Sequence, residues 1–196
     1  MKVLFAVFAY LFGAIPSGYI IYFISEQKDI RKFGSLATGA TNILRLKGWK
    51  FAVPVMFIDL FKGFLPVFLA LQLFNDNRYA LICAFLAIIG HCYPVYIKFK
   101  GGKGVATSIG TFAALAVLPL LIGLAVFVLV VALFRYVSLG SLLAVISLIP
   151  STFFITGDYE LVIFTIAVFL LIVFRHAGNI SRLAHGQERK LGQRNQ

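Results

Sequence analysis

Acidic residues and cysteines are both scarce in this sequence. Seven Asp and Glu residues stand against 18 Lys and Arg residues, which gives a formal net charge of +11. The two cysteines, Cys83 and Cys92, lie in one apolar stretch without the spacing of a disulfide framework or a metal site, so we expect buried thiols. No acidic pair suited to a divalent metal is present, and we expect the protein to use neither a metal nor a cofactor.

Several catalytic signatures are also absent. Lys103 is followed by Gly104, so the G-x-x-x-x-G-K-[ST] pattern of a Walker A loop is missing. No Asp lies five positions after His91, His176 or His185, which excludes the H-x-x-x-x-D acyltransferase signature. Neither G-x-S-x-G nor H-E-x-x-H occurs. These absences leave a chain that is rich in cations and poor in bases, so its substrates should be anionic.

Long hydrophobic runs, by contrast, dominate the chain. Its 196 residues are 61% hydrophobic with a mean hydropathy of +0.96, more apolar surface than a soluble domain of this length can bury. We therefore predict an all-α, polytopic integral membrane protein that contacts membrane lipid and binds no nucleic acid. The first apolar run is long, which favours an uncleaved span over a signal peptide. The seven predicted transmembrane segments are about 3–24, 51–74, 79–97, 105–118, 119–134, 139–155 and 161–174.

The distribution of basic residues orients these segments. Residues 25–50 and the tail from Arg175 are rich in Lys and Arg, which predicts that both are cytoplasmic and that the N-terminus lies outside. The acidic turn at 156–160 is expected outside, so the block 105–134 must begin and end inside as a hairpin that turns near Pro119. Each arm has about fifteen residues, or roughly 22 Å, so we expect these two segments to be short or re-entrant.

A stretch rich in lysine and glycine, FKGGKGVAT at 99–107, follows the third segment. Its glycines, Gly101, Gly102 and Gly104, allow a sharp turn that can aim several backbone N–H groups at one anion. Lys103 adds positive charge. This chemistry indicates capture of a phosphate or carboxylate at the membrane surface. The alternative is a flexible cytoplasmic loop that only fixes the topology.

Two polar clusters on the same predicted side precede helical stretches. In the first, Thr41 or Asn42 could cap a short helix on which Asn42 and Arg45 share a face. In the second, Ser138 has the character of an N-cap, and Ser141 would reach the same surface one turn later. The alternative for the first cluster is an interfacial loop with a snorkelling arginine, and the second cluster is a weak signal by itself.

The last polar cluster begins the basic tail. On one helix Arg175, Asn179 and Arg182 would fall at i, i+4 and i+7. His176 would adjoin Asn179, which collects two guanidinium groups, an amide and an imidazole along one edge. Stop-transfer arginines are the alternative, but they do not require His and Asn in register.

Two ionisable residues lie inside the second predicted span. Asp59 and Lys62 are three residues apart, and placing either charged side chain in hydrocarbon costs free energy. We predict a structural pair in which each charge neutralises the other, and a proton relay is the alternative.

Four sequence blocks together resemble the bacterial acyl-phosphate-dependent glycerol-3-phosphate acyltransferases, the PlsY family. The blocks are GSLATGATNILR at 34–45, DLFKG at 59–63, GHCYPVYIKFKGGKGVAT at 90–107 and RHAGNISRLAHGQE at 175–188. The resemblance spans nearly the whole chain, and the third and fourth blocks are specific in combination. One departure is visible, because Ala37 stands where the family commonly has Asn.

The resemblance implies a seven-helix protein and a reaction. The family transfers a fatty acyl group from acyl phosphate to the 1-hydroxyl of glycerol 3-phosphate, giving lysophosphatidic acid and inorganic phosphate. This reaction opens phospholipid synthesis in the bacterial inner membrane. We accordingly expect residues 1–196 to form a single membrane-embedded acyltransferase domain, a monomer whose active site faces the cytoplasm.

The resemblance also suggests roles for residues. As a hypothesis, Lys103 and the glycine-loop amides hold the acyl phosphate, and Ser35 helps to orient its head. The side chains assigned to glycerol 3-phosphate are Arg45, Ser141, His176 and Asn179. The full candidate set comprises catalytic Lys103, Ser141, His176 and Asn179 with substrate-binding Ser35, Thr41, Asn42, Arg45, Gly101, Gly102, Lys103, Gly104, Ser141, His176 and Asn179.

Two questions stay open at this point. The proton of the attacking hydroxyl could pass to the donor's own phosphate, which we favour, or to His176. A different class of function, a membrane carrier or channel for a phosphorylated solute, could use the same anion-binding loop, with Asp59 and Lys62 on its path.

Overall fold

The structure is a computed structural model that describes residues 1–193. All regular structure in this range is helical, as the composition predicts. The α-helices are α1 (Lys2–Gly13), α2 (Ser17–Glu26), α3 (Ala40–Lys47), α4 (Trp49–Phe74), α5 (Asn77–Cys92), α6 (Val105–Leu115), α7 (Val117–Phe134), α8 (Val137–Thr156), α9 (Tyr159–Arg175) and α10 (Ala177–Ala184), and two 3₁₀ turns lie at Ile30–Lys32 and Val95–Ile97. The described residues form two compact units, 1–111 and 112–193, so that α6 begins in the first and ends in the second.

The first span is broken where its sequence contains proline. Helix α1 ends at Gly13 and α2 begins at Ser17, and together they make an apolar span of 25 residues. Pro16 cannot donate a backbone hydrogen bond, so the helical ladder is interrupted at this residue. The break between α1 and α2 therefore lies next to the proline, inside the first predicted segment.

Close helix packing builds the first unit. Helix α5 packs against both α1 and α4. A Cβ atom at Gly13 would overlap the backbone of Ala87, and one at Gly90 would overlap the backbone of Tyr10. Glycine at these two positions therefore lets the α1 and α5 backbones touch, as small residues do between membrane helices.

Polar contacts join the chain at each end of this unit. At one end the Lys2 ammonium donates to the Asp76 carboxylate over 2.7 Å. At the other end the Arg31 guanidinium donates to the carbonyl of Ile97 over 2.6 Å. The N-terminus and the turn after α4 thus lie together, as the predicted topology requires, and which side faces the cytoplasm stays a prediction.

Helices α7, α8 and α9 form the second unit, with α8 packed between the other two. Phe112 and Phe164 contribute aromatic packing, with ring centroids 5.7 Å apart. The chain then bends by 63° between α9 and α10. Helix α10 packs against α8 and α9.

The prediction of seven membrane segments is confirmed in part, because each of the seven contains an apolar helix but not every helix is long enough to span. In residues 1–193 five helical segments are long and apolar enough to cross a membrane, or six if α9 and α10 count as one bent span. Helix α6 has only 11 residues, which agrees with a short segment. The following break is at Ala116, before Pro119, because proline fits the first turn of a helix, where its missing N–H costs nothing. Helix α7 is therefore 18 residues long, roughly 27 Å at 1.5 Å per residue, and not a short arm.

Candidate active site

The glycine-rich stretch folds back onto the end of α5. The N–H of Gly101 donates to the carbonyl of Cys92 over 3.2 Å, and the N–H of Gly102 donates to the carbonyl of His91 over 3.1 Å. The last carbonyls of a helix lack partners within it, so these two amides satisfy them. This corrects the prediction that both amides point at a bound anion. Lys103, half-buried on the same loop, remains the candidate cation.

The residues before the loop adopt a backbone that most side chains avoid. Lys98 and Phe99 have φ angles of 57° and 60°, and Gly104, just before α6, has a φ of 88°. Left-handed residues other than glycine cost roughly 1–3 kcal/mol each and persist only where their surroundings hold them. The bond from Arg31 to the carbonyl of Ile97, immediately before Lys98, supplies such a constraint.

Arg31 is itself held in place by the carboxylate of Asp29. The sequence did not predict that Arg31 belongs to this region. Its guanidinium binds both oxygens of Asp29, with the shortest distance 2.7 Å. The hydrogen bond from Arg31 lowers the pKa of Asp29 below its usual value, against a smaller opposing effect of burial. The pair therefore stays ionised at neutral pH and presents the guanidinium to the loop.

Asn42 organises the 33–42 loop. Its amide oxygen accepts from the N–H of Ser35 over 2.8 Å, and its amide nitrogen donates to the carbonyls of Phe33 and Ala37 over 3.1 and 2.9 Å. Asn42 is 1% exposed. The bond to position 37 uses the main chain, so the loop is closed whichever side chain stands there, including the unusual Ala37.

The predicted cap of α3 is wrong. The helix begins at Ala40 with Gly39 as its N-cap, so Thr41 and Asn42 lie inside its first turn. Asn42 is the more attractive partner for the loop carbonyls because an amide both donates and accepts. Ser35, Thr41 and Arg45 are all half-buried around this loop and stay predicted binding residues.

In the second unit, His176 stands at the bend between α9 and α10. Its Nδ1 lies 2.8 Å from the carbonyl oxygen of Ile172, and the side chain is buried. A carbonyl can only accept, so Nδ1 carries a proton and donates to Ile172. The bend separates Arg175, the last residue of α9, from Asn179 on α10. The predicted single helical edge for Arg175, Asn179 and Arg182 is therefore wrong, although Asn179 and Arg182 do share α10.

Glu188 is the residue that sequence reasoning did not place in the site. Its buried carboxylate accepts from Ser138 Oγ at 3.0 Å, Asn179 Nδ2 at 2.8 Å and Arg182 Nε at 2.9 Å. Burial raises the pKa of Glu188, but the three hydrogen bonds together outweigh it, so the pKa lies below its usual range. The carboxylate thereby fixes Asn179 against the start of α8. The last matching block, RHAGNISRLAHGQE, already contained this glutamate.

Two further predictions for α8 need correction. Helix α8 begins at Val137, with Tyr136 as its N-cap, and Ser138 donates to Glu188 instead of capping the helix. The Ser141 hydroxyl donates to the carbonyl of Val137 over 2.9 Å, and the residue is 4% exposed. A serine inside a helix commonly bonds to the carbonyl four residues earlier, which explains why its spacing alone did not predict its direction.

Comparisons with known proteins decide the family. The profile of the family described as "Glycerol-3-phosphate acyltransferase" matches residues 3–186. A protein named glycerol-3-phosphate acyltransferase from Endomicrobium trichonymphae is 46% identical over 97% of this chain and 96% of its own length. This chain belongs to the glycerol-3-phosphate acyltransferase family. A protein of the same name from Syntrophotalea carbinolica is 44% identical over 93% of this chain and 93% of its own length. Another from Staphylococcus aureus strain Newman is 41% identical over 97% of this chain and 98% of its own length.

Solved structures agree with the acyltransferase assignment. The chain is similar to a crystal structure of PlsY (YgiH), an integral membrane glycerol 3-phosphate acyltransferase, in its glycerol 3-phosphate form. The TM-score is 0.93 at 36% identity, covering 97% of this chain and 96% of that one. The lysophosphatidic acid form gives a TM-score of 0.87 at 35% identity, covering 97% and 95%. The chain is therefore a multi-pass membrane acyltransferase, and the resemblance to the PlsY family is confirmed.

No cluster typical of a metal site accompanies these residues. Between Met1 and Gln193, no group of three or more His, Cys, Asp or Glu side chains could hold a metal ion. The chemistry that the described residues offer is cationic and hydrogen-bonding: ammonium, guanidinium, amide, hydroxyl and imidazole groups.

Proposed function

We propose that the chain transfers a fatty acyl group from acyl phosphate to the 1-hydroxyl of glycerol 3-phosphate, releasing lysophosphatidic acid and inorganic phosphate. The observation that carries the proposal is the loop on which Lys103 stands, held on α5 in a chain of this family. The related PlsY structures are a glycerol 3-phosphate form and a lysophosphatidic acid form, which supports glycerol 3-phosphate as the acceptor here. An acyl phosphate suits a site made of cations and poor in bases, since it is already activated.

The loop is proposed to hold a phosphate through Lys103 and through amides other than those of Gly101 and Gly102. Sequence reasoning assigns this phosphate to the acyl donor, with Ser35 orienting its head. The shared chemistry is a phosphate dianion, and separate KM values for the two substrates tell which one the loop binds. Ammonium and amide donors would also stabilise the charge that grows on the leaving phosphate.

The residues proposed for glycerol 3-phosphate are Arg45, Ser141, His176 and Asn179. The structure supports this role by fixing two of them: His176 through its Nδ1 bond to Ile172, and Asn179 through Glu188. Fixed polar groups orient an acceptor hydroxyl without reorganising during the reaction, and such positioning can supply much of a rate enhancement.

The proton of the attacking hydroxyl is proposed to pass to the phosphate of the donor. The oxygen of glycerol 3-phosphate forms a bond to the acyl carbon, the bond from that carbon to the phosphate oxygen breaks, and the released phosphate carries the proton away. His176 offers Nε2 as the alternative acceptor. Full activity in His176→Ala would exclude the histidine as a required base.

We further propose that the protein acts as a monomer in the bacterial inner membrane, with its phosphate-binding residues facing the cytoplasm. The basic composition of 25–50 and of the tail from Arg175 supports this orientation. Both substrates carry phosphate, which is costly to move into hydrocarbon, while the acyl chain can stay in the membrane.

The test uses purified protein in detergent, supplied with palmitoyl phosphate and glycerol 3-phosphate. Phosphate release and lysophosphatidic acid are measured together, with palmitoyl-coenzyme A as a second donor. We expect turnover that needs both substrates, uses palmitoyl phosphate and is lost in Lys103→Ala. Lys50→Ala, which removes an exposed lysine from the start of α4, is the matched control and should lose little.

Two other results of this assay would contradict parts of the proposal. Turnover with palmitoyl-coenzyme A alone would overturn the acyl-phosphate donor and keep the acyltransferase. Folded wild-type protein without turnover would overturn the proposal and favour a carrier for a phosphorylated solute. The pair that motivated the carrier, Asp59 and Lys62, is bonded to the break in the first span, so the structure gives it a packing role.

A further inference from the structure

We propose that His91 is a positioning residue that seats the phosphate-binding loop, and that the buried Asp59–Lys62 pair holds His91 in place. This inference rests on the proposed function, because its consequence is the position of Lys103 relative to a phosphate. His91 lies in the third matching block, but neither the resemblance nor the proposed acyl transfer gives it a role.

The His91 ring lies directly under Gly102. A Cβ atom built at Gly102 would overlap His91 Nε2 and lie 2.7 and 2.9 Å from Cε1 and Cδ2 of the ring. A Cβ atom at Gly101 would overlap the His91 carbonyl oxygen and the ring of Pro94. The Gly102 N–H also donates to the His91 carbonyl. Both the ring and the main chain of His91 therefore touch the two residues that precede Lys103.

The other edge of the ring faces a buried charge. His91 Nδ1 lies 3.6 Å from Asp59 Oδ1, and the two side chains are 4% and 1% exposed. The same Oδ1 accepts from Ser17 Oγ at 2.6 Å and lies 2.8 Å from Lys62 Nζ. These two contacts fix the position of the Asp59 carboxylate. The His91 ring lies between this carboxylate and the loop.

The break in the first span anchors the pair in turn. Lys62 Nζ donates to the carbonyl of Ile15 over 2.8 Å, in the segment where Pro16 interrupts the helix. A backbone carbonyl inside a membrane protein needs an internal partner. Lys62 supplies one and simultaneously neutralises Asp59. Polar contacts therefore run from the helix break, through Asp59 and His91, to the loop.

The experiment is a double-mutant cycle on the solubilised enzyme. Gly102→Ala adds the methyl group that meets the ring, His91→Ala removes the ring, and the third variant combines them. Both single variants should lose roughly tenfold to a hundredfold in kcat/KM, mainly through a higher KM for one phosphate substrate, since a displacement of about 1 Å costs about 10²-fold. The double variant should be no worse than Gly102→Ala alone, because the clash has gone.

Three controls keep the test decisive. His185→Ala removes an exposed histidine and should behave as wild type. Thermal unfolding is measured for every variant, since a merely structural role would lower Tm without changing the KM of folded enzyme. If His91→Ala does not fold, His91→Asn takes its place, because its amide keeps a donor near Asp59 and is shorter than the ring.

The outcomes separate cleanly. A wild-type KM in folded His91→Ala, or losses that multiply in the double variant, would overturn the positioning role while the enzyme remains active. Absence of turnover in the wild type would instead overturn the proposed function. A KM that is raised in both folded single variants, and raised no further in the double variant, is the expected result.

Discussion

Removing the Glu188 carboxylate should destabilise the second unit and misplace Asn179. Glu188→Ala leaves the Ser138 hydroxyl and the Asn179 amide without the acceptor that they share at 3.0 and 2.8 Å. Each buried donor that loses its partner costs about 1–3 kcal/mol, so the loss is about 2–6 kcal/mol. At 2–4 °C per kcal/mol, Tm should fall by roughly 5–20 °C.

Glu188→Gln divides this effect into parts. Its amide oxygen can still accept from Ser138 and Asn179, while its NH₂ group replaces the oxygen that faces Arg182. Because the side chain at position 188 is 1% exposed, that NH₂ group would be a buried donor facing a cation, and the loss should be about 1–3 kcal/mol. We therefore expect activity and Tm of Glu188→Gln to lie closer to wild type than those of Glu188→Ala.

The pH dependence follows from the lowered pKa of Glu188. A carboxyl whose pKa is lower in the folded state stabilises the protein fully above its unfolded pKa, near the ordinary 4.5, and the contribution is lost as the pH falls through the folded value. The Tm difference between wild type and Glu188→Gln should thus be constant near neutral pH and shrink below pH 4.5.

The assay is thermal unfolding of solubilised protein together with initial rates. Asp76→Asn is the matched control, since it neutralises an exposed carboxylate paired with Lys2 and can still cap α5 through Tyr79. That change should cost no more than about 1 kcal/mol. A Glu188→Ala protein that melts and turns over like the wild type would refute the reasoning about the carboxylate.

Three further predictions concern the first unit. Asn42→Asp should lower stability by roughly 2 kcal/mol or more, because a carboxylate cannot donate to two loop carbonyls; unfolding measurements against Thr41→Ala test this, and equal Tm values would contradict it. Asp59→Asn and Lys62→Met should each cost about 3–5 kcal/mol while the double variant recovers much of the loss, and additive unfolding free energies would count against a neutralising pair. Ala37→Asn should change stability by about 0.5 kcal/mol at most, since only the main chain of residue 37 is used, and a large drop in Tm would show otherwise.

The sequence predicted the features that depend on composition and local chemistry. Apolar runs require a helical membrane protein because unpaired backbone groups are too costly in lipid, and Pro16 predicts the break in the first span. The specific blocks around Lys103 and His176 were sufficient to indicate the family, which the comparisons confirm. The structural pairing of Asp59 with Lys62 also follows from their spacing and the cost of burying either alone.

Local reasoning failed where a side chain bonds to a group outside its own helix instead of capping that helix. Ser138 has the character of an N-cap, yet it bonds to Glu188, 50 positions later. Asn42 could cap α3, yet its amide closes the loop before the helix. In each case the side chain meets an acceptor or donor that only folding brings near, and a buried polar group takes the partner that satisfies it best.

The sequence by itself thus determined the class of protein, its apolar helices, its cationic loop and its family. Only the tertiary structure decided where the amides of Gly101 and Gly102 point, which residue holds Asn179, and what lies beneath the loop. The physical reason is that composition and the spacing of apolar residues depend only on each residue and its near neighbours in the chain. Hydrogen bonds and close contacts such as His91 against Gly102 depend on how one segment folds back onto another, which no local pattern encodes.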